Sequence, residues 1–296
     1  MTIARRILNH TTWLITRRCS ERRFFLLPTS QVKQVFEYAL ARAARITGVL
    51  LHAWTVMPNH YHLVVTDPQG RLPEFVRRLN ALVARALNFR YRRKESFWKS
   101  GSYNAVELLT EESVLDKMIY TLANPVSAGL VAKAWHWREG GASTSMGIGF
   151  GGRRWVLRPA FVRGGEEVET LHLVAPPSCG SSDAEFAERL RAGLHAREGE
   201  VRTQMQAEGR RFMGMEAVLA QSWNQAPRSE EAFGRMQPRF ATRDGEVMRA
   251  AIRAWKEWVA AYRCARQRFC EGDREVEFPA GTYLLKVAYG VRVAET

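Results

Sequence analysis

Two histidines one residue apart, His60 and His62, are the first candidates for chemistry in this sequence. Along a strand alternate side chains share a face, so both imidazoles project together while Tyr61 turns into the core. Two convergent neutral imidazoles make half of a metal-ligand set. By spacing alone they also describe a pair of core or surface histidines. The second candidate pair is Tyr120 with Asn124. Four residues apart on a helix, they occupy one face. A phenol can attack phosphorus once a metal or base helps remove its proton, and the asparagine oxygen is a further ligand. The same spacing fits a core aromatic followed by an asparagine that caps the helix before Pro125.

The elements that must position these groups follow from periodicity. Thr11 to Arg18 is β-rich and reads as a strand. A helix starts at Ser30, buries Val32, Val35, Phe36, Ala39, Leu40 and Ala43, and closes at Gly48. Val49 to Met57 and His60 to Thr66 form a hairpin around Pro58-Asn59. Leu72 to Lys94 is a long helix, Phe97 to Leu108 an extended segment, and Thr110 caps a helix that Pro125 ends near Asn124. Strand, helix, strand, strand, helix, strand is the split βαβ order of a ferredoxin-like α+β domain with an antiparallel sheet. We divide the chain into a catalytic domain over 1–138, a linker and hairpin over 139–182, and a mainly helical C-terminal extension over 183–296. The Gly- and Ser-rich stretch 140–152 and the break at 176–182 mark the middle segment. In the extension, 183–207, 210–221 and 244–270 read as helices and Tyr283 to Val293 as a final strand.

Composition narrows the partners. Of 296 residues, 46% are hydrophobic and 25% charged, which excludes wholesale disorder. Four cysteines without a CxxC pair exclude a disulfide scaffold and a zinc knuckle. No apolar run reaches the roughly 18 residues of a membrane span, and we expect a cytoplasmic protein without a membrane partner. The net charge is +14. Residues 1–134 carry 20 Lys and Arg against 9 Asp and Glu, net +11, so the field is concentrated beside the histidines. A polyanion is the natural partner, and nucleic acid the commonest.

Three ordered stretches carry a family resemblance: WTVMPNHYHLVV (54–65), WKSGSYNAVEL (98–108) and YTLANPVSAGLV (120–131). They resemble Y1 transposases of the IS200/IS605 type in the HUH superfamily, and more closely the REP-associated tyrosine transposases. The resemblance implies that His60 and His62 bind Mg²⁺ or Mn²⁺ and that Tyr120 is the nucleophile. Asn124 occupies the place where insertion-sequence members usually carry a glutamine as third metal ligand, one methylene longer. The implied activity is metal-dependent endonuclease and strand transfer on single-stranded DNA hairpins through a 5′-phosphotyrosine, by a monomer or homodimer. The candidate DNA surface comprises Arg17, Arg18, Arg77, Arg78, Arg85, Arg92, Arg93, Lys94 and Lys99. Tyr91, Phe97, Trp98 and Tyr103 are offered for stacking on bases, with a core role for Phe97 and Trp98 as the alternative. Two other functions remain: a non-catalytic domesticated DNA-binding protein, and a Rep- or relaxase-type nickase.

Overall fold

The computed structural model describes residues 4–101, 103–140, 143–147, 149–177, 180, 182–228 and 238–295. The parts of the expected linker and break at 141–142, 148, 178–179 and 181 lie outside the described residues. Four strands, β1 (Thr11–Arg18), β2 (Leu50–Met57), β3 (His60–Asp67) and β4 (Asn104–Leu108), pair antiparallel in the order β2-β3-β1-β4. That is the ferredoxin-like order, reached by two connections through α1 (Ser30–Thr47) and α2 (Leu72–Arg90). A two-residue strand, β7 (Phe240–Ala241), extends the sheet parallel to β4.

Strand alternation builds two cores. Trp13, Ile15, Tyr61, Leu63 and Val65 point to one face, where α1 and α2 pack. Leu14, Val64, Val106 and Leu108 point to the other, where α3 (Glu111–Ser127) packs. Helix α4 (Asp183–Ala207) covers α3 through Phe186, Leu190 and Leu194. The two helices approach so closely that a side chain at Gly193 would collide with Ile119, and Arg189 pairs with Glu111. A hairpin of β5 (Arg153–Leu157) and β6 (Val168–His172) packs on α1 through Val156 and Leu171. The cores around the sheet are therefore completed by chain beyond residue 138. Among the described residues the other α-helices are the short α5 (Met215–Leu219), the long α6 (Gly245–Cys270) and α7 (Leu284–Tyr289). No helix of the described residues is long and apolar enough to cross a membrane.

Several expected boundaries shift for local reasons. Helix α3 runs through Pro125 and closes only after Ser127. Proline removes one backbone donor, a loss of one helical bond near a terminus, while continuing the helix buries Val126 completely. The turn then closes at Gly129, φ +71°, with Leu130 N–H donating to Pro125 O at 3.0 Å. Helix α2 stops at Arg90 rather than Lys94, because Arg92 takes a left-handed φ of 54°. Gly101, φ +85°, turns the chain between Trp98 and Asn104, so only the second half of 97–108 joins the sheet. The expected strand at 283–293 is instead α7, stopped by Gly290 in the left-handed region. Of 210–221 only Met215–Leu219 is helical, because Gly214 lies at φ +82°.

Candidate active site

The hairpin turn at Pro58-Asn59 starts β3 at His60, and the pleat does the rest. Tyr61 is fully buried on the α1/α2 face, its hydroxyl donating to Asn80 Oδ1 at 2.9 Å. His60 and His62 face the other way, their ring centroids 4.8 Å apart and nearly perpendicular. Helix α3 crosses this face and lays the Tyr120 ring edge-on against His62, centroids 5.2 Å apart. One turn further on, the Asn124 side chain reaches His60. A single chain thus brings all four groups together.

Second partners orient the imidazoles. His60 Nδ1 lies 2.6 Å from Asn59 Oδ1. That oxygen only accepts, so Nδ1 carries the proton and Nε2 keeps its lone pair. His62 Nδ1 contacts Thr16 Oγ1 at 2.9 Å across the β1 pairing. His62 Nε2 is buried and has no hydrogen-bond partner. Burial pushes the His60 pKa down to about 4, Arg18 lowers it further and Asn124 opposes this. His62 is held well below its ordinary value by burial first and His60 second. Both rings are therefore neutral near pH 7, the form that donates to a metal.

Those atoms fit a divalent cation. A buried nitrogen without a partner costs about 1–3 kcal/mol, and a cation held by His62 Nε2 would relieve it. Among the described residues no cluster of three His, Cys, Asp or Glu exists. A third protein donor, if the group takes one, would be the Asn124 carboxamide oxygen beside His60. Tyr120 itself is about half exposed, at 46%, so its ring is accessible from solvent. Lys117, one turn earlier on α3, holds its ammonium 5.8 Å from the Tyr120 ring.

Residues 9–113 match the family model described as "Transposase IS200 like". That match covers His60 and His62 and stops before Tyr120. No curated protein matches the chain. Among solved structures, one of a REP-associated tyrosine transposase bound to a REP hairpin is 22% identical, with a TM-score of 0.42, covering 49% of this chain and 84% of that one. Another, a putative transposase from Deinococcus radiodurans R1, is 23% identical, with a TM-score of 0.28, covering 36% of this chain and 85% of that one.

Around this site the basic residues sort by position. Arg18 follows Thr16 on the histidine face, directly opposite His60 in the β1–β3 register. Arg17 points to the other face, where its guanidinium donates to Gly101 O at 2.9 Å. Lys99 N–H donates to Arg18 O at 2.9 Å, which keeps it at the same end of the sheet. Arg92, Arg93 and Lys94 follow the C-terminus of α2 and lie at that end too, on the opposite layer. The Arg93 guanidinium caps the Phe25 ring at 3.8 Å.

The remaining α2 arginines are not gathered there. The helix runs antiparallel to β3, so its first turns lie at the far end of the sheet. Arg78 is about 18 Å along the axis from Arg90. It is engaged by Glu74 at 2.7 Å. Arg77 lies beside Tyr283 at that far end, and Arg85 is an exposed mid-helix position. Trp98 is corrected from a base-stacking role to a core one: it is buried edge-on against Tyr61 and Phe97 and donates to Asn80 O at 3.0 Å. Tyr103 is covered by Arg5, and Tyr91 is stacked on Trp223 at 4.6 Å. Sequence reasoning missed Thr16, Asn59 and Lys117. Asn59 was signalled by its place in the turn and Lys117 by its i−3 spacing from Tyr120, whereas Thr16 required the strand register.

Proposed function

We propose that the protein is a divalent-metal-dependent endonuclease and strand transferase acting on single-stranded DNA at hairpins of the REP type. The convergence of His60, His62, Asn124 and the accessible phenol of Tyr120 in one chain is the observation that carries this reading. A bound Mg²⁺ or Mn²⁺ supplies Lewis-acid polarisation of the scissile phosphate. His60 and His62 would hold it, oriented by Asn59 and Thr16. Tyr120 Oη attacks phosphorus and releases its proton to water. The P–O3′ bond breaks, the 5′-side fragment leaves with a 3′-hydroxyl, and the 3′-side fragment stays on the phenol through its 5′ phosphate as a phosphodiester. Another strand's 3′-OH reverses the step by displacing the phenol, which regains a proton. Each direction exchanges one phosphodiester for another, so transfer needs no nucleoside triphosphate. Arg18 and Lys117 place positive charge where the phosphate would enter.

A 3′-labelled hairpin oligonucleotide with Mn²⁺ should yield a protein adduct that survives a denaturing gel. Absence of the adduct across hairpin sequences and metals would sink the transesterase reading. Calorimetric titration of Mn²⁺ should show affinity reduced at least about 10-fold in His60→Ala, since losing even a partner that orients a ligand costs about 10–100-fold. Unchanged affinity in that variant would remove the imidazole pair from the metal site.

A further inference from the structure

Helix α6 carries an apolar face and a basic stripe on opposite sides. Its 26 residues span about 39 Å. Asp244 caps its start, accepting from Glu246 and Val247 N–H. One face packs inward: Trp258, Val259 and Ala265 are buried, Tyr262 and Phe269 sit against Phe278, and Trp258 Nε1 donates to Ala280 O at 2.7 Å. Arg249, Arg253, Lys256 and Arg263 stand at i, i+4, i+7 and i+14, with Ala260 on the missing rung. On a helix of 3.6 residues per turn these positions form one stripe, about 21 Å long, on the side opposite Trp258 and Phe269. All four are exposed. The ion pair seen for them among the described residues is a 4.0 Å contact of Arg249 with Glu246.

Charge counting isolates the helix further. Residues 135–296 carry 24 Lys and Arg against 21 Asp and Glu, net +3. Residues 245–270 alone carry six against two, net +4. The positive charge of the whole C-terminal half therefore resides on this helix. Neighbouring cations closer than the Debye length of about 8 Å repel one another, and a linear polyanion relieves that repulsion. Duplex DNA presents one phosphate charge per about 1.7 Å of axis, a rigid partner for a rigid stripe. Unpaired strands are gripped differently, by aromatic platforms between cations. Every aromatic residue of α6 lies off the stripe. Trp258 is buried, Tyr262 and Phe269 pack inward, and Trp255 lies under the Arg239 guanidinium at 4.3 Å.

We propose that the Arg249–Arg253–Lys256–Arg263 stripe of α6 binds the sugar-phosphate backbone of duplex DNA, independently of base sequence. Any contribution of this grip to cutting by Tyr120 rests on the function proposed above; the binding itself does not. The test is fluorescence anisotropy of the full chain on a blunt 30-bp duplex, on unpaired dT₂₀ and on a hairpin without flanks, over a salt series. In the triple variant Arg253→Ala/Lys256→Ala/Arg263→Ala, the slope of log K against log[salt] on the duplex should fall by about 2.7, at roughly 0.9 per lost contact. Binding to dT₂₀ and adduct formation on the unflanked hairpin should be unchanged. Alanines at exposed helix positions favour the helix, and a matching Gln triple variant guards against a folding defect. The proposal is overturned if wild type does not bind the duplex, if both variants keep its salt slope, or if dT₂₀ loses affinity equally. A stripe-dependent duplex slope with no adduct on any hairpin would retain the proposal and refute the transesterase.

Discussion

Tyr120→Phe abolishes the covalent adduct while the variant still binds the DNA hairpin: this is the largest effect expected of any single substitution. The change removes one oxygen and leaves the ring, which keeps its edge-on contact with His62 at 5.2 Å between centroids. Tyr120 is about half exposed on α3, so losing the hydroxyl leaves no buried group unsatisfied and folding should be unaffected. Removing a nucleophile from a unit that acts together costs at least on the order of 10³-fold in rate. The measurement is adduct yield and single-turnover cleavage under Mn²⁺, with binding followed in parallel. Cleavage at the wild-type rate would show that another group attacks phosphorus. Loss of binding together with cleavage would point to a misplaced helix rather than to missing chemistry. Because the attacking group and the imidazoles belong to one chain, mixing Tyr120→Phe with a His60→Ala chain should not restore the adduct.

What was legible in the sequence is what short-range periodicity encodes. His60 and His62 on one face with Tyr61 on the other follow from the pleat alone, and the Pro-Asn turn set the start of β3. Tyr120 and Asn124 follow from the helical repeat. The boundaries that moved were those where one residue was read as a stop or a continuation without its tertiary surroundings. Pro125 breaks one bond, but Val126 gains full burial by continuing the helix. Tyr283 to Val293 has strand composition, yet Gly290 stops a helix there. The basic face of α2 was read as one surface because a helical wheel records angle and not height. Arg78 and Arg93 share the wheel, but one end of that helix is beside the site and the other is not. Trp98 was offered to bases because nothing local shows that Tyr61, from a distant strand, covers it. Thr16 was missed for the same reason, since its contact with His62 exists only in the β1–β3 register.

The same registers create a pH liability at a third histidine. His52 sits at the bulge of β2 between Leu51 and Ala53, almost fully buried. Its Nδ1 lies 2.8 Å from Val174 O, an acceptor, so Nδ1 carries a proton. Its Nε2 lies 2.8 Å from Thr66 Oγ1, which in turn contacts Thr12 Oγ1 at 2.7 Å. The network is satisfied by Thr12 donating to Thr66, Thr66 to His52, and His52 to Val174, which requires a neutral ring. Burial lowers the His52 pKa from 6.5 to about 4, with the bond to Val174 opposing it. Above pH 6.5 both folded and unfolded chains hold this ring neutral and it imposes no pH dependence. As pH falls from 6.5 to 4 the unfolded chain takes up a proton that the folded chain refuses, so stability is lost on acidification. The window spans about 2.5 units, or about 3 kcal/mol at most. His60 and His62 are shifted in the same direction. They are present in both proteins when wild type is compared with His52→Asn, whose amide can donate near the Nδ1 position. Urea midpoints from pH 7.5 to 4.5 should show the variant less stable than wild type at the upper end and the two curves converging at the lower. Parallel curves would mean that His52 titrates normally in the folded protein and that the Thr12–Thr66–His52–Val174 chain does not hold the ring neutral.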